Sequence, residues 1–355
     1  MLAQLFDSRR KRITTGVVIA VALLLGGVAI ATSGGDEEAA PTTTEATTTT
    51  TVATTTTVPP QIAPLTGVQG QFGDRINLPA VFVKLDNAPQ ARPQAGLVQA
   101  DIVFEEPVEG STTRLAAVFH STNAVEIGPV RSTRSTDLGL VPLFGRPVFA
   151  SSGGNGAILN RLGKANVMDV GHNVNGEGFR RVGDRRAPHN LFTSLKNLYA
   201  KAPERSAPPA PVFTYRAEGE ALAAEAKPAK GVALSFGGPE ISRFLWDAPS
   251  KQWHRYHGSV RHIDPAGKPV APTNVVVLEI PYEFSTSSGN SRPHGVSVGM
   301  GRALVFTAGH VIDGRWVRPT IGSALQLLSA DGSPIKLTPG QTFIELPPAG
   351  GAAVL

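Results

Sequence analysis

Short apolar runs bounded by polar and turn residues recur along this chain. Ala80–Leu85, Ile102–Glu105, Leu115–His120 and Val148–Ser151 therefore read as strands. Helical spacing interrupts them. Ser135 is placed to cap a helix reaching about Phe144, and Gly156–Leu162 reads as a second helix. Leu191, Leu195, Leu198, Tyr199 and Ala202 follow Asn190 at helical spacing and predict an amphipathic helix with Asn190 as its N-cap. A proline-rich stretch, 203–211, breaks the pattern. Beyond it the helical period vanishes. Val232–Phe236, Gln252–Tyr256, Asn274–Ile280, Gly295–Met300, Ala303–Ala308, Ala324–Leu328 and Gln341–Leu346 read as strands, with tight turns expected at Asp313-Gly314 and Asp331-Gly332. The pattern predicts an α/β or α+β first domain over 62–202. A linker at 203–211, an all-β sandwich or barrel-like second domain over 212–348 and a tail at 349–355 follow.

The amino end has a different character. A short segment, 1–12, ends in Arg9, Arg10, Lys11 and Arg12 and precedes an uncharged apolar run from Ile13 to Ala31. As a helix that run measures about 28 Å, enough for a bilayer. The basic cluster would stay cytoplasmic and the rest of the chain would lie outside. Ala29-Ile30-Ala31 also has the form of a signal-peptidase site, so a single-pass anchor and a cleaved signal are both open. Residues 32–61 form a linker. From Asp36 to Pro60, 12 of 25 residues are Thr, a composition that buries no core and predicts a disordered stalk.

Composition narrows the chemistry. Gly 38 and Pro 29 in 355 residues fit short elements and many turns. Cys 0 excludes disulfides, thiolate catalysis, cysteine metal sites and a lipobox cysteine. The net charge of +5 is mild and widely spread, and it does not argue for nucleic acid. Nucleotide loops of the Walker or Gly-x-Gly-x-x-Gly type do not occur, so no cofactor is expected. His254, His257 and His262 are close in sequence, yet His254 and His257 would face opposite sides of a strand, so no metal site is expected either. Thr307–Val311 is superficially similar to the histidine segment of trypsin-like proteases, but the serine motif such an enzyme needs downstream does not follow.

Asp101, Glu105, Glu106 and Glu109 place four carboxylates within nine residues. Glu105 and Glu109 end a strand and enter a loop, where acid–base groups of glycan-cleaving enzymes are commonly carried. His189 follows Pro188 and is a third candidate for proton transfer. Arg114, Arg131, Arg134, Arg180 and Arg186, with Asn190, form a candidate ligand-binding set, because arginine forks take carboxylate or phosphate with defined geometry. The alternative is internal ion pairing between these arginines and the glutamates.

Long segments carry a resemblance. Lys84–Phe119, Ile127–Arg134, the Ser-Gly-Gly at 152–154 and Phe179–Ser194 resemble the bacterial YerB-like lipoprotein family, domain of unknown function 3048. Gly258–Asp264, Asp313–Thr320 and Asp331–Pro348 resemble its carboxy-terminal domain. The resemblance covers about residues 62–348 and departs at the amino end, where many relatives use a lipobox cysteine. It implies an extracytoplasmic, envelope-attached protein and no particular reaction. Three functions are compatible with these features. One is a protein binding an anionic cell-wall glycopolymer or peptidoglycan. Another is a glycan-cleaving or glycan-transferring enzyme using Glu105 or Glu109 with His189. The third is a scaffold for another envelope component.

Overall fold

Strands dominate the structure, a computed structural model that describes residues 59–204, 206–285 and 292–355. The basic segment, the apolar run 13–31 and nearly all of the linker lie outside these residues. No helix among the described residues is long and apolar enough to cross a membrane.

The main strands are β1 (Val81–Asp86), β2 (Ile102–Val108), β3 (Thr112–Phe119), β4 (Val148–Ala150), β5 (Met168–Asp169), β6 (Gly231–Ser235) and β7 (Ile241–Asp247). They continue with β8 (Gln252–His257), β9 (Val260–Arg261), β10 (Asn274–Leu278), β11 (Gly299–Thr307), β12 (His310–Arg318), β13 (Thr342–Glu345) and β14 (Ala352–Val354). The helices are α1 (Ser135–Leu140), α2 (Gly156–Leu162) and α3 (Leu195–Lys201).

Both halves of the chain build one 11-stranded sheet, in which β12, β11, β10, β13, β2, β3, β1, β4 and β5 lie side by side. The join is made by β13, which runs parallel to β10 on one side and parallel to β2 on the other. A second, 5-stranded sheet, in the order β9, β8, β7, β6, β14, comes wholly from the second half. The second half is all-β as its pattern predicts, but the sandwich is not its own, because its 5-stranded sheet packs on a sheet shared with the first half. The period of two explains the layers. Val81, Val83 and Leu85 of β1 point into one core with Phe244, Trp253 and Phe343, and α3 adds Leu195 and Leu198. Phe82 of β1 and Phe104 of β2 point the other way, against Leu138, Phe144 and Phe149.

Three expectations change in detail. Leu191–Phe192 pairs with Arg180–Arg181 as a strand, so the helix starts later and Ser194, not Asn190, caps it by accepting from the Asn197 amide at 3.2 Å. The β11–β12 hairpin turns at Ala308-Gly309, both with positive φ, while Asp313-Gly314 lies inside β12. The tail is not loose, since Ala352–Val354 forms the edge strand β14 beside β6.

Candidate functional site

Strands β1, β2, β4, β5, β10 and β13 all run in the same direction, so their carboxyl ends gather along one rim of the large sheet. Rims of this kind carry ligands in open sheets because the chain leaves the strand there and exposes polar groups. Asp86 ends β1, Glu105 to Glu109 end β2, and Ser151 follows β4. Arg114 enters at the start of antiparallel β3, directly opposite Asp86.

The four sequence-adjacent carboxylates part company: Asp101 precedes β2 at its amino end, and only the other three reach this rim. Asp101 accepts from the His120 and Ser121 amides and fixes a turn. Glu106 pairs with Lys84, which is itself fully buried and reaches Asp137 at 2.8 Å. Glu105 is fully buried; its Oε1 accepts from Thr113 at 2.6 Å and Asn87 at 3.0 Å, and its Oε2 from Arg255 at 2.6 Å. Burial alone would raise Glu105, but the Arg255 charge and the Thr113 hydroxyl outweigh it and hold the carboxyl below its ordinary value. Glu345, its register partner on β13, goes the other way: burial and the Glu105 charge push it well above the carboxylate range. Glu109 loses some water, but the Arg134 fork holds it down to about 2. Both shifts favour the ionised form of these two carboxylates.

Around Asp86 and Glu109 three of the five proposed arginines converge. Arg131 Nε lies 3.0 Å from Asp86 Oδ2, and His189 Nδ1 lies 2.7 Å from the same oxygen. Arg134 donates to both oxygens of Glu109, through Nε at 2.8 Å and through Nη2. Arg114 Nη2 stands 3.8 Å from Glu109 Oε1, and its Nη1 donates to the Ser132 carbonyl at 2.7 Å. Burial and the two neighbouring guanidiniums lower Arg114 to about 10. Asp86 and Arg114 are buried, Arg134 and His189 are partly covered, and 24% of the Arg131 side chain is exposed. Among the described residues, Asp86 is the one polar partner of the Arg131 side chain.

Arg180 does not join this cluster; it pairs with Glu126 on the surface. Arg186 is exposed, and its contact with His189 is made by its backbone carbonyl. Asn190 is a staple, with Oδ1 accepting from Arg181 and Nδ2 donating to Val182 and Arg185, so it braces the loop that carries His189.

A second polar assembly was not legible in the sequence. Glu105, Arg255, His262, Gln94 and Asn87 form a closed ring of side chains. Arg255 donates to Glu105 and to His262 Nδ1, His262 Nε2 to Gln94, Gln94 to Asn87, and Asn87 to Glu105. The ring crosses the junction between the two halves. His257 takes another Arg255 proton at 2.7 Å and faces Glu240, which also pairs with Arg92. His257 and His262 are thus arginine acceptors, while His254 contacts Ser250 and Arg261. Over this seam lies a cleft of about 820 Å³, walled by Arg92, Glu240, His257 and Val260 among others. A recess of about 270 Å³ adjoins it and a third of about 390 Å³ continues past Ser111 and Phe236 to Glu109.

Residues 65–208 match the model of the protein of unknown function (DUF3048) N-terminal domain, and 232–344 match its C-terminal domain. The chain belongs to the DUF3048 family. This DUF3048 chain is 30% identical over 303 residues to a putative lipoprotein, YerB, of Bacillus subtilis (strain 168), covering 82% of the chain and 87% of the relative. It also superposes on the crystal structure of YerB protein from Bacillus subtilis with a TM-score of 0.73 at 26% identity, covering 83% of this chain and 99% of that one. The family's two named domains correspond to the two halves that share the large sheet.

Proposed function

We propose that this DUF3048 protein is an extracytoplasmic envelope protein that binds an anionic group of a wall or membrane-linked polymer through Arg114, Arg131 and Arg134. The charge count of the cluster supports this reading. Three guanidiniums meet two carboxylates, Asp86 and Glu109, so one positive charge is left over at the rim. Arg131 is the most exposed of the three, and a guanidinium fork recognises phosphate or carboxylate bidentately. The relative is titled a putative lipoprotein. This chain has no cysteine, so attachment is assigned instead to the apolar run 13–31 behind Arg9–Arg12.

Retention of the full-length chain on purified phosphate-rich wall polymer tests the proposal. Arg131→Ala should weaken retention about tenfold, the worth of one charge-assisted bond. Arg131→Lys should recover little, because lysine lacks the fork. Equal retention by folded Arg131→Ala protein would make the arginine a purely structural partner of Asp86. Arg180→Ala should change retention little, since Arg180 pairs elsewhere.

A further inference from the structure

The two inner guanidiniums of the cluster are held by backbone carbonyls as well as by the Glu109 carboxylate between them. Arg114 Nη1 donates to the Ser132 carbonyl at 2.7 Å. Arg134 Nη1 donates to the Thr133 carbonyl at 2.9 Å and lies 3.3 Å from that of Ser132. These carbonyls belong to the segment that enters α1, and they aim both forks at the space that the Glu109 carboxylate fills. A phosphate or carboxylate from outside would seek the same geometry.

Glu109 itself is placed to leave. It is the last residue before the β2–β3 turn, where Gly110 and Ser111 both have positive φ. The turn is pinned, because Gly238 packs so closely on it that a Cβ there would sit 2.2 Å from the Ser111 carbonyl oxygen. The backbone therefore stays in place, and the side chain, 28% exposed, moves only by giving up its bonds to Arg134. Glu109 also borders a recess of about 390 Å³ that it lines with Phe236, Tyr282 and Phe284. We propose that Glu109 is a built-in occupant of the arginine site, a tethered carboxylate that stands in for the external anion and must be displaced when the anion binds. This rests on the anion-binding reading of the cluster and adds its regulation. A tethered competitor lowers apparent affinity by the fraction of time it holds the site. The carboxyl stays ionised throughout the physiological range, so displacement is driven by ligand and not by pH.

Equilibrium dialysis of the full-length chain against labelled inorganic phosphate, with thermal melting as a fold control, tests the proposal. Glu109→Gln removes the charge and keeps the shape; it should bind phosphate about tenfold more tightly than the wild type. Adding Arg134→Lys to Glu109→Gln should abolish that gain. Should Glu109→Gln fail to fold, Glu109→Asp keeps the charge but shortens the reach, and it should also bind more tightly. Phosphate affinity unchanged or lower in a folded Glu109 variant, with the wild type binding, overturns the displacement proposal and leaves the anion site standing. If neither the wild type nor any folded Glu109 variant binds phosphate, the anion-site reading fails and this proposal falls with it.

Discussion

Arg255 is fully buried, 150 positions from Glu105 in sequence, and supplies the charge that lets Glu105 stay ionised without water. Removing one member of such a pair strands the other, which costs about 3–5 kcal/mol. Arg255→Leu should lower stability by that amount in urea titrations, and Glu105→Gln added to it should recover part of the loss. No residue count could have found this pair. His254-Arg255-Tyr256-His257 reads as an ordinary polar strand, and only the stacking of the 5-stranded sheet on β2 brings Arg255 to Glu105. By contrast, Arg131 and Arg134 were legible. The two lie in one short segment beside Gly128-Pro129, and the segment pairs locally with the end of β1. Arg180 and Arg186 share the same composition cue, but Arg180 lies on a short exposed strand and Arg186 in the loop after it, so residue type alone could not sort them. Arg185, unremarked in the sequence, donates to the Ala91 and Pro93 carbonyls and locks that loop down.

Among the elements, the apolar centres of many strands were legible but their ends were not: Ile102–Glu105 runs on to Val108, Leu115–His120 begins at Thr112 and Ala303–Ala308 begins at Gly299, while Gly295–Met300 is not one strand and the more polar strands Ile241–Asp247 and His310–Arg318 went unpredicted. The misread turn has a physical cause. Asp-Gly is a strong turn dipeptide, but Gly314 is needed for a different reason: a Cβ there would sit 2.3 Å from the Leu328 carbonyl oxygen. The true turn, Ala308-Gly309, spends an alanine at positive φ, which no propensity favours. The described residues of the 203–211 stretch are largely exposed, and proteases should cut it early. The two fragments should nevertheless co-elute under native conditions, since β13 is paired on both sides, and should separate only in denaturant. Fragments that part at once on gel filtration would mean that β2–β13 pairing contributes little.

Across the whole molecule, the seam couples folding to proton balance. Burial first, then the Arg255 charge, depresses His257 and His262 below the ordinary histidine value. The unfolded chain takes up protons below about pH 6.5 that the folded chain refuses, so each histidine lowers stability by up to about 1.4 kcal/mol per pH unit below that point and none above it. Glu345 acts oppositely, because a raised carboxyl favours the folded state at low pH and the benefit fades as pH rises. Comparing the wild type with His262→Gln isolates one histidine: the stability difference should be flat above pH 6.5 and shift in favour of the variant by about 1.4 kcal/mol per unit below it. A difference that stays flat to pH 5 would show that His262 is not refused its proton. The placement of β13 has a consequence for synthesis. One edge of β2 can be covered only when Thr342–Glu345 has emerged, more than 230 residues after β2 itself. A chain made amino end first must carry that bare edge of unpaired backbone groups through most of its synthesis, at risk of pairing with neighbouring chains. The two family domains are therefore not interchangeable parts. A gene fragment encoding only the first would make a sheet in which one edge of β2 is permanently uncovered.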